Sequence, residues 1–286
     1  MTYVILNHAL IPAENATISV QDRGFRFGDG IFDTLRVEGG VPYRFRWHMQ
    51  RLEAALAAVR IVFDLAPLMP LCQQLLKANT LSRGLLRIQI TRGAGSKGYL
   101  PTSEKPTLLM ETLPLPPAPK PHNRVWLSHY QKISPAALPI QHKLTQGLSS
   151  TLVRLEAHDK GCLDGLMLNA KGELCETSSG NLFWLKEGRI FTPRLECGAL
   201  NGGMRAAFIE RSPVPVAEVA APLAELQSAE AVWVCNVAWG LAPVSALEPT
   251  GWQWDSQPKI APLQKRMHDD ILREASQFKQ QWQQAA

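Results

Sequence analysis

Apolar residues recur along this chain in two rhythms, and the rhythm changes from segment to segment. The runs "TYVILNHALI" and "ATISV" read as short strands, and "IFDTLRVEGGVPYRF" reads as two strands around a Glu-Gly-Gly turn. In "RWHMQRLEAALAAVRI" the spacing switches: Leu52, Leu56 and Val59 lie on one side of a helix. A second helix is predicted over Leu71–Asn79, with Pro70 suited to its first turn. "LLRIQITRG" and "PTLLMETL" return to strand character. Strands flanking two helices predict an α+β domain.

Five prolines in "LPLPPAPKPHN", Leu113 to Asn123, then interrupt both patterns. Such a run fits neither a helix interior nor a central strand and behaves as a semi-rigid linker. It divides the chain into a small N-terminal α+β domain (1–115), a linker (116–123) and a larger C-terminal domain (124–286). The larger part opens on a strand, "NRVWLSHY", followed by a helix from about Ser149 to Lys160. "DGLMLNAKGELCETSSGNLFWLKEGRIFTP" reads as a β-meander with Lys-Gly and Glu-Gly turns. A helix at "GGMRAAFIER", a buried strand at "AVWVCNV" and an amphipathic helix from Ala261 to Trp282 complete it.

Composition narrows the classes. With 45% hydrophobic and 19% charged residues, the chain suits a globular protein with a full core. The net charge of +5 is too mild to argue for nucleic acid, and fits an anionic cofactor or small-molecule substrate. Cys72, Cys162, Cys175, Cys197 and Cys235 are scattered, with no paired metal-ligand spacing. They read as reduced, buried thiols of a cytoplasmic protein, and no metal site is expected. The N-terminus lacks the pattern of a signal peptide, and no apolar run reaches the ~20 residues that span a bilayer.

Five segments carry candidate chemistry. Lys143, in "PIQHKLTQGLSSTLV", stands between a proline-bounded segment and a helix start; desolvation there would favour the neutral amine that Schiff-base chemistry uses. Taken alone, it reads first as a solvated surface lysine. Glu176 adjoins a Thr-Ser-Ser-Gly cluster, either a turn or a carboxylate set under a cofactor ring. "NGGMRAAF" leads glycines into a helix, which exposes backbone N–H groups and the positive end of a helix dipole to a phosphate. Arg51 lies on a helix and is suited to bidentate phosphate pairing. "TRGAGSKGYLP" is a glycine-rich basic loop holding Lys97 and Tyr99.

The order of these segments is specific where each alone is not. "QDRGFRFGDGIFDTLRV", "HMQRL", "TRGAGSKGY", "HKLTQGLSSTLVRLEAHDKGC", "ETSSGNLFWL" and "TPRLECGALNGGMR", in sequence, resemble the fold-type IV pyridoxal-phosphate enzymes. That family holds the D-amino-acid and branched-chain aminotransferases and 4-amino-4-deoxychorismate lyase. The resemblance runs from about Tyr3 to about Leu247. It implies two domains, the larger with a β-barrel-like sheet core, pyridoxal 5'-phosphate held between them, and a homodimer. It implies that Lys143 is the Schiff-base lysine and Glu176 the acid opposite the pyridine nitrogen. It puts Arg51 on the cofactor phosphate, together with the backbone of Gly203 and Met204 and, by a looser match, Asn236 and Val237. Ser179 and Gly180 would line the ring; Phe32, Lys97 and Tyr99 would meet substrate. Two departures stand out: Gln146 replaces a frequent asparagine, and Met204 sits in a turn that often carries a threonine.

Thr34 in "GDGIFDTLRV", the loop "GSKGYLP" and the Asn201–Gly202 pair resemble the lyase branch. The resemblance therefore implies conversion of 4-amino-4-deoxychorismate to 4-aminobenzoate and pyruvate, for folate synthesis, with Thr34 delivering a proton to the departing enolpyruvyl group. A D-amino-acid or branched-chain aminotransferase is the alternative within the family. A non-catalytic relative that only binds is the alternative outside it, and Lys143 and Glu176 argue against that.

Overall fold

The computed structural model describes residues 2–95, 98–102 and 105–284. The chain divides into two compact units, Met1–Leu115 with His142–Gln146 and Asp270–Ala286, and Pro116–Gln141 with Gly147–Asp269.

The first unit is built from β1 (Tyr3–Leu6), β2 (Ala9–Pro12), α1 (Arg23–Phe27), β3 (Gly30–Glu38), β4 (Val41–Pro42), α2 (Phe45–Ala58), α3 (Leu68–Ala78), β5 (Arg83–Thr91) and β6 (Thr107–Leu113). Its six strands form one sheet in the order β2-β1-β6-β5-β3-β4. The period-two pattern of β3 is visible in its burial: Ile31, Leu35 and Val37 are inaccessible, while Phe32 and Thr34 keep partial exposure. Ile31, Leu35, Leu86, Ile88, Ile90 and Met110 pack in one cluster with Leu52 and Leu56 of α2 and Leu68, Leu75 and Cys72 of α3. Each fully buried leucine there contributes about 1.5–3 kcal/mol by leaving water. Gly39 and Gly40 make the β3–β4 turn at φ +60 and +77, and a Cβ on either would meet open space. Backbone conformation, not room, selects glycine here.

Two segments distant in sequence join this unit through bonds that the proline run does not foretell. Around Lys143 the chain adds itself to the edge of β3: Leu144 bridges Ile31, Phe32 N–H donates to Lys143 O at 2.9 Å, and Thr145 N–H donates to Gly30 O at 3.0 Å. The end of the chain joins because Tyr43 Oη donates to Asp270 at 2.9 Å and Arg44 N–H to Glu274 at 2.9 Å, while Trp282 meets Phe45 edge-on at 5.2 Å. Both groupings depart from a boundary drawn at residues 116–123.

The second unit contains β7 (Asn123–Leu127), α4 (Leu148–Asp159), β8 (Asp164–Leu168), β9 (Leu174–Thr177), β10 (Asn181–Lys186), β11 (Arg189–Pro193), α5 (Gly203–Arg211), β12 (Val216–Val219), β13 (Ala231–Asn236), β14 (Gly240–Glu248) and β15 (Trp252–Gln253). The helix α6 (Ser256–Gln284) starts here, and its residues from Asp270 belong to the first unit. Strands β10-β13-β14-β7-β8-β9 pair in turn, and β9 pairs back onto β10, so six strands close into a barrel-like ring. Leu166, Leu174, Leu182, Trp184, Val232, Val234 and Val244 form its core. Phe183, between the inward Leu182 and Trp184, instead meets Phe208 of α5 with ring centroids 5.0 Å apart. The meander read from sequence is β8 to β11, with the expected turns. The short helix α1, where the Asp22 side chain accepts from Gly24 N–H at 2.8 Å, was not legible in the pattern.

Candidate active site

Because Lys143 pairs across from Phe32, antiparallel geometry puts both side chains on one side of the sheet. The Lys143 Nζ lies 4.4 Å from the centre of the Phe32 ring. Thr34, two residues on, belongs to the same side, which α2 and α3 leave uncovered. Opposite Thr34 in β5 is Arg87, whose guanidinium carbon also sits 4.4 Å from the Phe32 centroid. Phe32 thus meets two cations, a favourable use of the negative ring face. Arg87 Nε is buried, has no hydrogen-bond partner among the described residues and stands 3.8 Å from Glu111.

Asp33, between Phe32 and Thr34, turns to the helix-covered side and is 1% exposed. Arg51 of α2 donates to it through Nε at 3.0 Å and through Nη2, a bidentate pair, and His48 Nδ1 lies 3.0 Å from Oδ2. Burial opposes ionisation of Asp33, but the His48 and Arg51 interactions outweigh it and hold its carboxyl well below the usual range. Burial pushes His48 down despite Asp33, and among the described residues its Nε2 has no hydrogen-bond partner. Arg51 also lies over the Trp47 ring at 4.9 Å. His142, the neighbour of Lys143, is lowered by burial and by the Arg51 charge. The arginine expected on a phosphate therefore reaches the neighbourhood of Lys143 with one edge already committed to Asp33.

The glycine-rich loop is anchored by Arg23. Its Nη1 donates to Gly98 O at 2.7 Å and its Nη2 to Tyr99 O at 2.8 Å, while Nε pairs with Asp29 at 2.8 Å. The Tyr99 ring is exposed, 5.7 Å from that of Phe27. Lys97 lies outside the described residues.

In the second unit Glu176 lies in β9, one residue before its end, at 6% exposure. Lys132 Nζ donates to its Oε1 at 2.5 Å; Asn181 Nδ2 and Leu200 N–H donate to Oε2 at 3.0 and 2.9 Å. Asn181 also donates to Leu200 O at 2.8 Å, so one side chain ties the carboxylate to the approach of α5. Gly202 lets that amide come close, since a Cβ there would collide with Asn181 Oδ1. Gly202 precedes α5 with no side-chain cap, and Gly203 and Met204 are buried in its first turn. The Thr-Ser-Ser-Gly turn is organised by Asp164, fully buried, which accepts from the Ser178 and Ser179 hydroxyls at 2.5 and 2.6 Å and from Gly165, Ser178 and Ser179 N–H groups. The Ser179 hydroxyl is thus engaged within the protein. A Cβ on Gly180 would stand 3.0 Å from Cys235 O, a tight approach that the neighbouring backbone would have to relieve by a few tenths of an ångström. Asn236 Nδ2 donates to Ser179 O at 3.1 Å, and its Oδ1 accepts from Ala238 and Trp239 N–H, folding the half-buried Val237 into the same turn.

Sequence reasoning singled out neither Asp33, Arg87, Lys132, Asp164 nor Asn181. Asp33, Arg87 and Asn181 lie inside quoted motifs, where alternation alone assigns their faces; Lys132 finds its partner 44 residues on, and Asp164 binds the serine pair 14 and 15 residues on. Among the described residues no group of histidine, cysteine and carboxylate side chains could hold a metal, all five cysteines are buried and free, and no helix is long and apolar enough to cross a membrane.

Residues 30–247 match the family described as amino-transferase class IV. The aminodeoxychorismate lyase of Vibrio harveyi is 30% identical over 244 residues, covering 80% of this chain and 87% of that protein. The crystal structure of 4-amino-4-deoxychorismate lyase from Pseudomonas aeruginosa superposes with a TM-score of 0.81 at 32% identity, covering 91% of this chain and 97% of that one. The branched-chain amino acid aminotransferase of Escherichia coli superposes with a TM-score of 0.88 at 24% identity, covering 94% of each chain, a likeness of fold.

Proposed function

Because this chain belongs to the class IV aminotransferase family, whose members depend on pyridoxal phosphate, we propose that it is an aminodeoxychorismate lyase that releases pyruvate from 4-amino-4-deoxychorismate and leaves 4-aminobenzoate. The observation that carries this reading is Thr34: it lies on the same side of the sheet as Lys143, two residues along from Phe32, which pairs directly with that lysine. A hydroxyl there suits a reaction that must protonate a departing enolpyruvyl group. The lyase relatives at 30% and 32% identity support the same assignment.

The donor set fits the cofactor. It comprises an amine for an aldehyde, a buried carboxylate for a ring nitrogen, and a guanidinium and an uncapped helix start for a phosphate. When bound, pyridoxal phosphate supplies an electron sink for the carbon that bears the substrate's nitrogen. Lys143 would hold the cofactor through Nζ, and the same Nζ, when free, would remove the proton from the carbon that bears the substrate's nitrogen. Glu176 would serve the ring nitrogen. Arg51 and the N–H groups of Gly203 and Met204 would hold the phosphate, with the turn at Asn236 and Val237 contributing. Ser179 and Gly180 would back the ring. Phe32 and Tyr99 would line the substrate, and Arg87 would meet one of its carboxylates. The Thr34 hydroxyl gives a proton to the enolpyruvyl group as its bond to the ring carbon breaks; loss of the ring proton makes the product aromatic.

A second copy of the chain completes the enzyme in this reading. Val20, Phe25, Tyr99 and Leu100 are each more than 70% exposed, as the surface of a self-associating protein would be. Light scattering at micromolar concentration measures the mass; a monomer would remove the dimer from the proposal. For the activity, the purified protein is given 4-amino-4-deoxychorismate and, separately, amino-acid and keto-acid pairs. Equal amounts of 4-aminobenzoate and pyruvate support the lyase. Rapid amino-group exchange without aromatic product would make it an aminotransferase.

A further inference from the structure

Lys132 is held at three points. Its N–H donates to Leu168 O at 2.9 Å, continuing the pairing of β7 with β8. Its stem packs over Gly198, where a Cβ would come 3.0 Å from Lys132 Cγ. Its ammonium sits 2.5 Å from Glu176 Oε1, with 13% of the side chain exposed. A solvated lysine would give up this geometry for rotamer freedom; here backbone, stem and head all point to one carboxylate.

The groups facing the pair leave Lys132 as its dominant charge. Burial pushes the Cys175 and Cys235 thiols up to about 12 and raises Cys197 as well, so the three stay neutral. Arg205 is paired with Glu218 at 2.5 Å, and Glu173 accepts from Asn169 at 2.7 Å. Among the described residues Lys132 is the cation hydrogen-bonded to Glu176. Any group that shares this carboxylate with it stands roughly 4.5–7 Å from its Nζ, by hydrogen-bond and bond lengths. A unit positive charge at that distance opposes a second one with an effect of about two to three pH units, at the effective dielectric of a partly buried site.

We propose that Lys132 shares Glu176 with the ring nitrogen of the bound cofactor and so limits how firmly that nitrogen holds its proton. The inference rests on the reading that Glu176 faces the ring nitrogen. Lys132 is a positioning residue in this account: it acts through Glu176, moderates the electron sink and touches neither substrate nor reacting carbon.

The test is nitrogen-15 NMR of the protein loaded with ring-labelled pyridoxal phosphate, titrated with pH. Lys132→Met should raise the pH at which the ring nitrogen loses its proton by about two to three units. Lys132→Arg, which keeps the charge, should stay within about half a unit. Lys132→Gln keeps most of the stem and a donor, so it serves if the methionine variant does not fold, and the same rise is expected. A purely structural role would leave the titration where it was. If both neutral variants titrate like the parent while Glu176→Gln lowers the value, the inference about Lys132 is overturned and the role of Glu176 stands. If Glu176→Gln leaves the value unchanged, the reading of Glu176 falls and this inference falls with it.

Discussion

Thr34 and Arg87 face each other across neighbouring antiparallel strands, and the Arg87 guanidinium lies 4.4 Å from the ring of Phe32, the residue that pairs with Lys143. A hydroxyl, a cation and an amine therefore share one side of one sheet. That grouping suits a substrate that carries carboxylates near the bond to be broken. Arg87→Met keeps a stem for packing on Phe32 and removes the charge. A charge-assisted hydrogen bond contributes about 1.5–3 kcal/mol, so KM should rise roughly 10–150-fold with kcat changed far less. Steady-state kinetics on the lyase substrate reads the split. An unchanged KM would take Arg87 out of the substrate site.

Lys143→Ala should abolish turnover and the visible band of the bound cofactor, yet leave the melting temperature within a few degrees. The segment is fixed to β3 by main-chain bonds, Phe32 N–H to Lys143 O and Thr145 N–H to Gly30 O, with Leu144 against Ile31. None of these needs the lysine side chain, and a substitution outside the core shifts stability by about half a kcal/mol. Calorimetry and an absorption spectrum decide it; full activity in the variant would remove Lys143 from the mechanism.

These arrangements show what the sequence could and could not disclose. The alternation in "IFDTLRV" is a local property and predicted β3 directly. The closing of the barrel was expected from resemblance alone, because the β9–β10 contact, Glu176 opposite Asn181, is a pairing that no local period encodes. Glu176 was legible as a candidate, whereas the Lys132 that serves it was not: it comes from an irregular stretch 44 residues earlier. Asp33 had the same fate. A carboxylate in a strand motif gives no sign of being buried until α2 brings His48 and Arg51 against it. The short run His142–Gln146 looked like a connector because strand pairing at a sheet edge requires only a few residues and leaves little pattern.

Glu156 predicts a pH dependence. Burial opposes its ionisation, but hydrogen bonds from Ser128, His129 and Trp126 prevail and bring its carboxyl down to about 2, from an ordinary value of 4.5. A carboxyl depressed in the folded state stabilises fully above its unfolded value and loses that contribution as pH falls toward its folded one. The stabilisation should thus be complete above about pH 4.5 and disappear toward about pH 2. Glu156→Gln should lower the melting temperature at neutral pH and flatten the acid side of the stability profile across that window. Parallel profiles for variant and parent would show that the cluster contributes no linkage.

In the lyase reading proposed above, Thr34 is the residue that distinguishes it from the aminotransferase alternative. Valine is nearly isosteric and favours strands as well as threonine does, so Thr34→Val should preserve β3 and the bound cofactor. What it removes is one hydroxyl on the side of the sheet that bears Phe32 and Lys143. If that hydroxyl protonates the departing enolpyruvyl group, pyruvate release should slow by about 10²–10⁴-fold, the usual contribution of a positioned proton donor. Amino-group exchange with a keto acid does not use that proton, so any slow exchange by the parent should survive. The ratio of the two rates is the informative quantity, because damage to the fold or to cofactor binding would reduce both together. Equal pyruvate release from variant and parent would mean that Thr34 is there for its strand propensity, and would leave the lyase reading without the residue that carries it.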